Sequence, residues 1–281
     1  MVLDPADALL ELKRLVKVWE APGTAISIDL RGGAPTSGIL VFGLTSHTHA
    51  LAKAVATLYE ADQTVAAVPL VRLMIESAVT AMWIELAGES STQILLREQA
   101  RSVRNAYQHF VKAGMPSDAE TFSRIDEELN TGFEGSGPTR EVARQFEQLC
   151  QELQGGETAY ASYRAASQIS HASMSVADLY GEERETEDAG EFPFIVHTSP
   201  SDSNPDSWLG VALLMTMHST SAWSRIDTTH RDEARMRELH ARMGTDFEAR
   251  FTPKGVENQE RREQEHDDWI RARQTGSPTE S

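Results

Sequence analysis

The sequence predicts an all-α fold: a helical bundle of about seven or eight helices with one small two-stranded β ribbon. Three observations carry this. Apolar residues recur three and four apart along most of the chain. Two stretches, around 70–84 and 208–217, are apolar enough to form helices at the centre of a bundle. Neither a run of βαβ units nor an internal repeat is visible.

The elements follow in order. Asp4-Pro5 opens the first helix, with Asp as cap and Pro in the first turn. Leu9, Leu12, Val16 and Trp19 then line one face up to the Ala21-Pro22-Gly23 break. Residues 26–30 alternate Ile, Ser, Ile, Asp, Leu between glycines and read as a short strand or extended arm. A long apolar helix is expected over 37–65. Pro69 begins or kinks the next, which ends near Gly88. Ser91-Thr92 caps a helix that continues to Lys112. Helices over 117–130 and 138–154 flank the turn GFEGSGP, and another spans 157–180. The acidic run 182–191 is expected to be a solvated loop. Residues 192–198 form a second short strand, whose simplest partner is 26–30. The helix from Trp208 is expected to run on to about Phe251. The resulting organisation is an N-terminal helix and arm (1–36), a single helical domain (37–251) and a disordered polar tail (252–281).

The 281 residues carry 43 acids against 26 bases, a net charge of −17. Such a surface repels phosphate at long range, so neither DNA nor an anionic membrane is expected as a partner. The single cysteine excludes a disulfide framework and a multi-cysteine zinc site. The apolar run from Trp208 to Met217 is too short to cross a bilayer, and the start MVLDPADALLELKR lacks a basic leader, so a cytoplasmic protein is expected. Glycine-rich loops of the dinucleotide and P-loop kinds are absent. His47 and His49, two apart, make a poor helical metal pair, and Glu263-x-x-His266 has no matching second motif. No cofactor and no metal are expected.

Three constellations remain. On the apolar helix 70–88, Arg72 and Glu76 stand four apart and share a face. Arg72 is either an anion-holding group oriented by Glu76 or half of a structural ion pair. On the next helix, Arg97, Arg101, Arg104, Gln108 and Lys112 fall within about 80° of arc. That row either grips phosphate or forms a solvated face. In 158–180, Tyr163, Ser167 and His171 stand at steps of four, and Arg164 and His171 lie seven apart on the same stripe. His171 can exchange a proton near neutral pH, Arg164 can hold an anion, and Ser167 can donate a hydrogen bond between them. The alternative is a polar outer face or an interhelical hydrogen-bond network.

The pairing of Arg72-x3-Glu76 with the later Tyr163-x3-Ser167-x3-His171 resembles an uncharacterised bacterial helical family, a domain of unknown function common in actinobacteria. The resemblance covers roughly residues 37–225 and implies the helical fold without an activity. A more distant likeness is to the HEPN superfamily, helical bundles with an Arg-x4-6-His motif, many of them metal-independent ribonucleases of toxin or antiphage systems. Here RAASQISH supplies Arg-x6-His, although Ala165 follows the arginine where those enzymes usually carry a polar residue. The likeness implies that His171 helps activate a ribose 2′-hydroxyl, that Arg164 steadies the phosphate, and that two subunits join their motifs. Two functions are thus expected ahead of a third, a small-anion-binding enzyme using the same arginines. The first is a non-catalytic binding or interaction module with a polar Arg72, Glu76, Tyr163, Ser167 and His171 core. The alternative is a homodimeric HEPN-like ribonuclease, the only reading with RNA as partner.

Overall fold

The computed structural model describes residues 4–21, 35–114, 146–183, 194–201 and 204–275. It is all-α with one small ribbon, as the sequence predicts. The described helices are α1 (Pro5–Trp19), α2 (Pro35–Glu60), α3 (Thr64–Ala87), α4 (Glu89–Lys112), α5 (Phe146–Glu152), α6 (Gly156–Ser170), α7 (Met174–Asp178), α8 (Pro205–Ile226), α9 (Glu233–Met243) and α10 (Pro253–Thr275). Strands β1 (Gly181–Glu183) and β2 (Phe194–Val196) lie between α7 and α8.

The centre is α3, packed against α2, α6 and α8. Its buried residues, among them Val71, Met74, Ile75, Ala78 and Trp83, surround the helix rather than lining one stripe. An apolar sequence on all sides needs neighbours on all sides, and each fully buried aliphatic side chain contributes about 1.5–3 kcal/mol. By length and composition α3 is also apolar enough to cross a membrane; here half of that stretch is buried inside the protein. The α8 side of the core adds Leu209, Leu213, Met217 and Trp223. The first helix begins as expected, with the Ala6 amide donating to Asp4 Oδ1 at 2.9 Å. It lays Leu12, Leu15 and Val16 on the same core, and its buried Glu11 takes an ion pair from Arg235 of α9 at 3.1 Å.

Several expectations are corrected. The helix expected over 37–65 ends at Glu60, where Asp62 adopts a left-handed φ of 57° and turns the chain into α3. Of the two roles expected of Pro69, starting the helix is excluded, because it lies inside α3. The helix expected from 208 to 251 is two, because Asp227 leaves helical geometry with ψ 116° and its carboxylate binds the Thr229 amide at 3.1 Å. Strand β2 pairs antiparallel with β1, Gly181 opposite Val196, a partner the sequence reading did not offer. A short connection closes at a smaller entropic cost than one spanning most of the chain. The expected strand over 26–30, the helix over 117–130 and most of the acidic run 182–191 lie outside the described residues.

The largest correction concerns the tail. Residues 253–275 form α10, which is charged along its length yet docked on the body. Its Arg262 is 2 % exposed and meets Glu152 of α5, 0 % exposed. Arg262 Nη1 donates to Glu152 Oε1 at 3.0 Å, and Nη2 lies 2.9 Å from Oε2. Trp83 Nε1 and Asn258 Nδ2 each donate to the same carboxylate at 2.7 Å. The backbone reinforces the junction, with the Thr252 amide bonded to Glu152 O and the Gln154 amide to Arg250 O.

Candidate functional site

The side chains singled out in the sequence come together where α3 crosses α6. Arg72 is held from three sides. Its Nε donates to Ser167 Oγ at 3.0 Å, and Nη2 donates to Tyr163 Oη at 2.7 Å and to Glu76 Oε1 at 3.2 Å. The guanidinium carbon also lies 4.7 Å from the centre of the Tyr163 ring, within cation–π range. Ser167 passes the chain onward, its hydroxyl donating to Tyr163 O at 2.7 Å. Phe146 packs on the outer side of Tyr163, ring centres 4.7 Å apart. The sequence logic is plain: Arg72 and Glu76 share a face of α3, Tyr163 and Ser167 share a face of α6, and the helices bring those faces together. The cluster is partly open, with side-chain exposures of 18 % for Arg72 and 32 % for Glu76.

His171 does not join it. Helix α6 ends at Ser170, and His171 follows in extended geometry, φ −117° and ψ 151°, exposed to solvent. The expected continuation to Tyr180 fails because serine hydroxyls compete for the helix end. Ser170 Oγ donates to Ala166 O and Ser173 Oγ to Gln168 O, each at 2.7 Å. The helical stripe expected to stack Arg164 two turns from His171 is therefore broken. Arg164 is exposed on α6, and no hydrogen bond or ion pair joins it to His171 among the described residues. Arg101 and Arg104 fall on α4; Arg104 is half-buried there, and the side chain of Arg101 lies outside the described residues.

A second polar group escaped sequence reasoning. At the α8–α9 junction, His240 is 1 % exposed. Its Nε2 is 3.0 Å from Ser221 Oγ and its Nδ1 2.8 Å from Thr245 Oγ1. The His218 ring stands 5.0 Å away. Burial, aided by Arg225, pushes the His240 pKa down to about 4, so the ring is neutral. A serine beside a neutral histidine has the makings of a nucleophile and base. Ser221 is 0 % exposed, however, and Thr245 stands where an orienting carboxylate would be, so no substrate reaches this pair. Arg225 braces the junction with a two-pronged pair to Glu85, at 3.0 and 2.9 Å. Ser221 and His240 stand nineteen apart on two different helices, so no helical periodicity pairs them.

His49 and Cys150 behave as packing residues. His49 stacks on Trp19 at 4.5 Å and meets Thr220 Oγ1 at 2.9 Å; since Thr220 donates onward to Thr216 O, His49 Nε2 carries the proton. Burial lowers its pKa to about 3. Burial and the nearby Glu147 push the Cys150 thiol up to about 12, which keeps it from acting as a thiolate. Among the described residues no cluster of His, Cys, Asp and Glu could hold a metal ion.

No curated protein and no solved structure matches the chain. A family model does, over residues 38–189, a span that holds both halves of the Arg72 cluster: the chain belongs to DUF5677, a family of unknown function.

Proposed function

We propose that the chain is a non-catalytic binding or interaction module, with Arg72, Glu76, Tyr163 and Ser167 as the polar part of its core. One observation carries this reading. The guanidinium that would hold an anionic substrate is already engaged by Glu76, Tyr163 and Ser167. Partly buried ionic and polar groups satisfied in this way hold two helices in one register. A second reading, the HEPN-like metal-independent ribonuclease using Arg164 and His171 across a homodimer, has one observation in its favour: both side chains are exposed and open to a partner subunit.

One experiment separates them. Wild type and His171→Ala are incubated with defined RNAs in EDTA, after circular dichroism shows the variant folded, and Arg72→Met is melted alongside. The module reading expects intact RNA with both proteins and a clear loss of melting temperature for Arg72→Met. RNA cut by wild type but not by His171→Ala overturns it in favour of the nuclease.

A further inference from the structure

On the α6 side of the core, three helices meet with mismatched side-chain sizes. Met82 of α3 and Leu214 and Met215 of α8 present long apolar side chains, with Val79 of α3 beside them. Opposite them, the start of α6 supplies only Gly156, Thr158, Ala159 and Ser162. Groups that small leave the space open, and among the described residues a cavity of about 480 Å³ remains. That volume falls within the usual span of small-molecule sites.

The fourth wall, residues 244–250, is fixed rather than loose. Thr245 is tied to His240, and Arg225 Nη1 donates to Phe247 O at 2.6 Å while its other nitrogens grip Glu85. The cavity is therefore formed before anything enters it, which lowers the ordering cost of binding.

His218 lines this cavity, one helical turn beyond Leu214. Its ring nitrogens have no hydrogen-bond partner among the described residues. Burial, with His240 and Arg225 nearby, holds its pKa down to about 3, so at neutral pH it offers one N–H and one lone pair. On the exposed side, Asp246 and Glu248 stand beside Arg250 and Arg237, and Glu248 lies 3.8 Å from each of the two arginines. These charges balance one another, and the apolar walls penalise any ion.

We propose that this cavity binds a small uncharged molecule with an apolar body and a single hydrogen-bonding group that pairs with the His218 imidazole. The inference rests on the reading of the chain as a binding module and names its site and ligand class. The test uses two fluorescent probes that differ by one sulfonate. N-phenyl-1-naphthylamine is uncharged and carries one N–H; 8-anilino-1-naphthalenesulfonate is its anionic counterpart. The uncharged probe should bind saturably at about one per chain, and the sulfonate at least about tenfold more weakly. Ser162→Trp and Ala159→Phe fill the cavity from α6 and should each abolish binding without changing the far-ultraviolet circular dichroism. Either one suffices if the other fails to fold. His218→Leu should weaken the uncharged probe about tenfold, the equivalent of one hydrogen bond. The proposal is overturned by the absence of saturable binding, by equal affinity for the two probes, or by binding that survives in a folded cavity-filled variant. If the probe fails to bind while RNA remains intact, the cavity inference falls and the module reading stands. If RNA is cut at His171, the module reading itself falls.

Discussion

Removing the Glu152 carboxylate should be among the most damaging single changes in this protein. Glu152→Ala leaves the Arg262 guanidinium, 2 % exposed, without its counter-charge. It also leaves Trp83 Nε1 and Asn258 Nδ2 without their acceptor. Breaking one side of a buried ion pair costs about 3–5 kcal/mol, and stranding a buried neutral donor such as the indole N–H costs about 1–3 kcal/mol. The two overlap, because Asn258 and Arg262 move together on α10, so the larger figure is the one to expect. A loss of about 3–5 kcal/mol consumes a large part of a domain stability of about 5–15 kcal/mol. Urea titration followed by tryptophan fluorescence should show the midpoint falling, and limited proteolysis should show α10 released first. The double variant Glu152→Leu/Arg262→Met removes both charges and should recover the part of the loss due to the unpaired guanidinium, while Trp83 Nε1 and Asn258 Nδ2 still lack their acceptor. The reasoning is refuted if Glu152→Ala costs less than about 1 kcal/mol, or if the double variant loses the sum of the two single changes.

Two further predictions concern acid and close packing. His49 and His240 are buried neutral, with pKa values lowered to about 3 and about 4. The unfolded chain binds their protons below about pH 6.5 while the folded chain does not, so stability falls as pH drops, by about 2 kcal/mol per ring at pH 5. Melting temperature measured from pH 7 to pH 5 should fall for wild type and fall less for His49→Gln; equal slopes would count against the argument. A Cβ on Gly156 would sit 1.8 Å from the Cys150 carbonyl oxygen, and that oxygen belongs to backbone, which cannot swing away. Gly156→Ala should therefore lower the melting temperature sharply. Gly43→Ala, in open space within α2, should be neutral or raise stability by about 0.5–1 kcal/mol. Similar melts for the two variants would show that the close approach at Gly156 is relieved elsewhere.

Local signals in the sequence determined a good deal. Asp4-Pro5 set the start of α1, and the apolar run that begins before Arg72 identified the central helix. The four-residue spacings of Arg72 with Glu76 and of Tyr163 with Ser167 marked the two halves of the polar cluster. Each of these depends on neighbours within one or two helical turns, where propensity, capping and periodicity act. The tertiary structure alone decided that the two halves meet, whereas His171 stays outside because nearby serines end α6. It also decided that α10 is a docked helix rather than a loose tail. Arg262 reads as a solvated charge until Glu152, 110 positions earlier, is placed against it. The cavity beside His218 arises in the same way, from helices brought together across long stretches of sequence, and the Ser221–His240–Thr245 chain from the fold-back of α9 on α8. Burying a polar group is favourable only when its partner is present, and no local pattern records where a distant partner will be.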